Sequence, residues 1–115
     1  MNSVLLVEYS SRLGAIRTEI LESLGYPIHS VAGSQGVANC NLEHCSIGVI
    51  VIGHGAPWEE RREVIKHFQK RLPGVPIVAL LRRADGEFSE ATFNCPADNP
   101  PQWIRMVRQA VEGVR

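Results

Sequence analysis

The chain has 115 residues, of which 44% are hydrophobic, so it is the right size for one ordinary domain with a core of its own. Lys and Arg together number 12 and Asp and Glu number 12, a balance without the basic excess that marks nucleic-acid binders. The longest apolar run, Ile47–Ile52, is interrupted by Gly48 and is far too short for a membrane span, and no membrane partner is expected.

Val4-Leu5-Leu6-Val7 is an unbroken apolar run ending at Glu8-Tyr9-Ser10-Ser11, the pattern of a strand covered on both faces. Ser10 or Ser11 is placed to cap a helix in which Leu13, Ile16, Ile20 and Leu24 recur at helical spacing, and Gly25 stops it. Pro27–Ala32 reads as a second, weaker strand and Gly33–Cys40 as a short helix. Ile47–Ile52 is the most apolar strand. Glu59–Leu72 is expected to be a helix with Val64, Ile65, Phe68 and Leu72 inward, closed by Pro73-Gly74. Pro76–Leu81 gives a fourth strand and Ala91–Asn94 a short fifth. Pro100–Val114 is a last helix, with proline in its first turn and Ile104, Val107, Val111 and Val114 inside.

Strands alternating with helices imply right-handed βαβ units and a parallel sheet. Five strands in so short a chain favour the doubly wound, flavodoxin-like order 2-1-3-4-5, where ligands meet the carboxyl ends of the central strands. Between Arg82 and Asn94, Gly86 and the scarcity of apolar residues at helical spacing predict a reduced or missing helix. The N-terminus leads straight into a strand with no signal-peptide pattern. Three cysteines without CxxC spacing fit a reducing compartment, so a cytoplasmic location is expected.

In order and spacing these segments resemble a response-regulator receiver domain along nearly the whole chain, 1–115. Val4-Leu5-Leu6-Val7-Glu8 with Arg12 and Leu24-Gly25-Tyr26 is similar to that family's first strand, acidic turn and first helix. Ile47–Pro57 resembles its third strand and following turn, and Pro73-Gly74-Val75-Pro76-Ile77-Val78 its entry into strand four.

The resemblance implies five chemical groups. Two acids hold magnesium, an aspartate accepts the phosphoryl group, and a hydroxyl and a lysine bind its oxygens. Here the acidic pair falls on Glu8 and Tyr9, and the acceptor on Gly53, four residues before Pro57. The hydroxyl falls on Leu81, and the lysine on Cys95, before Pro96. One of the five remains, so the resemblance implies a degenerate receiver, or pseudo-receiver, of two-component or phosphorelay signalling. It would dock on a protein partner without phosphorylation, enzymatic activity, cofactor or metal, and a homodimer is compatible with it. His54, Trp58 and Arg82 are candidates for its binding rim, with Trp58 equally suited to be a packing residue at the helix start or a binding anchor.

Other chemistries compete at single residues. Strand-then-His54-Gly55 resembles the turn of sirohydrochlorin-type chelatases, which makes a small metal-binding or chelatase-like protein using His54 the alternative reading. Cys40, His44 and Cys45 lack a fourth zinc ligand nearby and read better as half-buried thiols. A redox sensor through Cys95, or through Cys40 and Cys45, is a third possibility. Gly33-Ser34-Gln35-Gly36 lacks the lysine and spacing of a phosphate loop. Arg61 and Arg62, like most helix charges, are expected on a solvated face.

Overall fold

A computed structural model describes residues 2–113. Its elements run β1 Ser3–Glu8, α1 Ser11–Ser23, β2 Ile28–Ala32, α2 Gly33–Asn39, β3 Ile47–Ile52, α3 Trp58–Arg71, β4 Ile77–Leu81, β5 Phe93–Pro96 and α4 Pro100–Glu112. The strands form one sheet in the order β2-β1-β3-β4-β5, parallel at every pairing. This is the flavodoxin-like architecture, and the three most apolar runs are its adjacent central strands.

Alternation along each central strand divides the core in two. Leu5, Val7, Ile50, Ile52, Ile77 and Ala79 pack against Val64, Ile65 and Phe68 of α3. Val4, Leu6, Val49, Val51, Val78 and Leu80 pack on the other face against Leu21, Trp103 and Val107 from α1 and α4. Ser10 caps α1 by accepting from the Leu13 amide, and Gly113 ends α4 in the left-handed conformation. Val114, assigned to the inner face of the last helix, lies outside the described residues. Among them, no helix is long and apolar enough to cross a membrane.

Two expectations need correction. The buried line of α1 is Gly14, Arg17 and Leu21, whereas Ile16 is exposed and Leu13, Ile20 and Leu24 are half-buried. The helix turns a cation inward because a carboxylate, Glu8, waits beneath it. The fifth strand begins at Phe93, two residues later than the apolar pattern indicates, because Ala91 and Thr92 are used in turning. The Ala91 amide bonds the Phe88 carbonyl, and Thr92 bonds Ile77 through both its amide and its hydroxyl.

As the sequence predicts, no helix forms between β4 and β5, and side chains hold that connection instead. Trp58 stacks on Phe88 with centroids 4.8 Å apart and planes 9° from parallel. The indole N–H of Trp58 donates to the Gly86 carbonyl at 2.9 Å. Arg61, fully buried, donates to Ala56 O at 2.8 Å and grips both oxygens of Asp85 at 3.0 Å. Asn94 closes the far end: its Oδ1 accepts from the Phe88 amide at 2.8 Å, and its Nδ2 donates to the Phe88 carbonyl at 3.1 Å. Asn94→Ala leaves the Phe88 amide unpaired and the Phe88 carbonyl with the Ala91 amide alone, and it is expected to cost about 1–3 kcal/mol. Urea unfolding should show a lower midpoint at unchanged slope.

Candidate functional site

The carboxyl ends of β1, β3 and β4 meet beside the start of α1. Glu8 ends β1 and is 4% exposed. Arg17 of α1, itself 5% exposed, donates through Nη1 to Glu8 Oε2. The other oxygen, Oε1, has no hydrogen-bond partner among the described residues. It sits directly above the backbone of Gly53: a Cβ added there would lie 2.1 Å from Glu8 Oε1 and 2.5 Å from Cδ. Gly53 is thus a glycine because the Glu8 carboxylate already fills the space its side chain would take.

The other residues singled out by sequence divide between this cleft and elsewhere. Tyr9 turns to the α3 side of the sheet and packs against that core, with its hydroxyl buried and unpartnered. Its pKa is pushed up to about 12, mainly by burial, with Glu60 adding, Arg61 opposing and Glu8 adding less. Leu81 ends β4, half-buried, and borders one recess with His54, Arg17 and Arg82. Burial lowers the pKa of His54, and Arg17, Arg82 and Arg61 lower it further against the pull of Glu8. Arg82 is exposed at the recess mouth, where its Nη2 donates to Ala56 O at 3.3 Å.

Cys95 is not in the cleft. It is 1% exposed within the core beneath α1 and α4, and burial raises its thiol pKa, so it is an inert packing residue. Trp58 is absorbed by Phe88 and Gly86, the packing role rather than that of a free anchor. Arg61 and Arg62, expected in solvent, both hold the β4–β5 connection: Arg61 through Asp85, and Arg62 through Glu90 at 2.9 Å. Arg17 is a further residue of the cleft, signalled in the sequence only as a charge within an otherwise apolar helix line.

The cysteines outside the cleft have their own partners. Cys40 Sγ donates to the Val37 carbonyl and lies 3.3 Å from Nη1 of Arg71, while Cys45 Sγ is 4.0 Å from His29 Nδ1. Among the described residues, no group of three His, Cys, Asp or Glu side chains is placed to hold a metal ion.

This fold matches solved receiver domains over nearly its full length. A CheY-like response regulator receiver domain from Methanospirillum hungatei JF-1 gives a TM-score of 0.80 at 19% identity, covering 98% of this chain and 95% of that one. The response regulator TrrA of Thermotoga maritima, solved in complex with Mg(2+)-BeF, gives 0.79 at 16% identity over 96% and 99%. The signal receiver domain of a signal transduction histidine kinase from Syntrophus aciditrophicus gives 0.81 at 17% identity over 100% and 93%. No protein-family model and no curated protein matches the chain. At these identities the likeness is one of fold.

Proposed function

We propose that this chain is a receiver-type module of two-component or phosphorelay-type signalling that acts by docking on a protein partner and accepts no phosphoryl group. The observation that carries this reading is the Glu8 carboxylate lying over Gly53, in the volume where an acceptor side chain would project. Glu8 is also neutralised by a buried guanidinium, and the neighbouring position is a tyrosine. This donor set does not fit magnesium, which requires near-octahedral oxygen ligation. A phosphoryl transfer that depends on metal, hydroxyl and lysine for charge stabilisation has none of them here. The chain therefore signals without catalysis of its own.

The docking part of the proposal rests on the β4–β5 connection. Three side-chain anchors from α3 fix it as a rigid surface, with Ala84, Glu87 and Ser89 exposed. Capture experiments in lysate of the native cell are expected to retain one partner equally with and without acetyl phosphate. Glu87→Lys, which reverses an exposed charge on this surface, is expected to release it. A partner captured only after acetyl phosphate treatment would contradict the proposal.

A further inference from the structure

The cleft of this fold has become a cationic recess. It has a volume of about 390 Å³ and opens between α1 and the loops that follow β4 and β5. Arg17, Arg82 and Arg83 border it, against the single carboxylate of Asp98. Leu13, Leu81 and Ala97 give it an apolar side. Asp98 is a weak counter-charge, 3.7 Å from the Arg83 Nε, and both of those side chains are largely in solvent. Arg82 is half exposed and its guanidinium is 3.7 Å from Asp85.

Arg17 is the deepest and most informative of the three. It is 5% exposed, yet of its guanidinium only Nη1 has an acceptor among the described residues, Glu8. A guanidinium carries five donors in a planar fork, and none of the Arg17 nitrogens is a fully buried atom without a partner, so those not bonded to Glu8 keep access to solvent where Arg17 borders the recess. Glu8 cancels the Arg17 charge in part. His54 also borders the recess, and its protonated form is disfavoured first by burial and then by Arg17, Arg82 and Arg61, against the pull of Glu8. A metal cation at His54 would meet the field of those arginines as repulsion. An anion would meet it as attraction.

We infer that the recess bordered by Arg17, His54, Arg82 and Arg83 binds a small molecule carrying an oxyanion, a carboxylate or phosphate group, with its apolar part against Leu13 and Ala97. Guanidinium forks match the paired oxygens of either group, and Arg17 gives the site a buried donor that surface arginines alone would lack. The volume exceeds what one inorganic anion fills, which accounts for the apolar side. The inference concerns the same cleft as the proposed function but does not rest on it. A docking module could bind no anion, and an anion site could serve a chain that docks on nothing.

The test is a two-dimensional amide NMR titration of the intact chain with sodium phosphate and, separately, sodium benzoate, each at ionic strength held constant with chloride. Saturable shifts confined to Gly53–Gly55, Leu81–Arg83 and Ala97–Asp98 are expected. Tighter binding of benzoate would identify the ligand as one with an apolar body, and tighter binding of phosphate as a free anion or phosphate ester. Arg82→Ala/Arg83→Ala should weaken binding about tenfold or more, the loss expected for charge-assisted hydrogen bonds. Because Arg82 also contacts Asp85 and Ala56, Arg83→Gln serves as the second variant. It lies in solvent, should leave the remaining spectrum unchanged, and is expected to weaken binding several-fold. Shifts that rise linearly without saturation for both anions, or affinity unchanged in both variants, would overturn the inference.

Discussion

Arg61→Ala is expected to cost about 3–5 kcal/mol, a large share of the roughly 5–15 kcal/mol that holds a domain of this size together. The side chain is fully buried, covers the Phe88 ring with its guanidinium 5.4 Å from the centroid, and meets Asp85 with two parallel bonds of 3.0 Å. Truncation leaves Asp85 ionised, nearly buried and without its main partner, and removes the nearer of two donors to Ala56 O. Lysine is no substitute, because an ammonium cannot present two parallel donors to Asp85 and a third to Ala56. Arg61→Met with Asp85→Leu removes both charges at similar volume and is expected to recover most of the loss.

The pair also sets an acid limit. Hydrogen bonding from Arg61 holds the Asp85 carboxyl below its ordinary value of 3.8. A carboxyl whose folded pKa is depressed stabilises the fold above the unfolded value and loses that stabilisation as pH falls through the folded one. The contribution is therefore intact at neutral pH and should vanish only below about pH 4. Urea unfolding across pH 2–7 of wild type and Asp85→Asn should diverge above that point and converge below it. An Arg61→Ala loss of under about 1 kcal/mol would mean that the connection is held by Trp58, Arg62 and Asn94 without it.

Gly53→Ala is the second substitution expected to act strongly. Its Cβ would stand 2.1 Å from Glu8 Oε1, so Glu8 must leave its place and the buried contact with Arg17 must break or rebuild. A loss of about 2–3 kcal/mol is expected from overpacking and the disturbed ion pair. The cause can be isolated. In a Glu8→Ala/Arg17→Met background both charges and the obstructing carboxylate are gone, and adding Gly53→Ala should then be nearly neutral. A similar cost in both backgrounds would show that backbone conformation, not Glu8, demands the glycine. Gly53→Asp adds a second carboxylate beside the first, so it should be less stable than Gly53→Ala and no better as a phosphoryl acceptor.

The central sheet was legible because its strands are buried on both faces, which turns Val4–Val7, Ile47–Ile52 and Ile77–Leu81 into continuous apolar runs. The missing helix was legible too, since Gly86 and a polar stretch cannot bury a helical face. Gly53 could be read as lacking an acceptor carboxylate, but not as lying beneath one. That depends on Glu8 bending over β3 to meet a cation on α1, a relation between three separate elements. Arg61 was hidden for a similar reason. In Glu59-Glu60-Arg61-Arg62-Glu63 nothing local distinguishes the arginine that turns inward, and its partner Asp85 is 24 residues away. Cys95 was misplaced because its neighbour Pro96 marks the strand end, whereas the face its side chain takes is set by pairing of Leu80 with Cys95.

The most direct measurement is intact-protein mass spectrometry after incubation with acetyl phosphate and magnesium, for wild type and for Gly53→Asp. With Glu8 tied to Arg17 over Gly53, no hydroxyl on Leu81 and Cys95 buried away from the cleft, both proteins are expected to keep their unmodified mass. A gain of one phosphoryl group on wild type, mapped to a side chain, would contradict the account and make His54 the first position to examine.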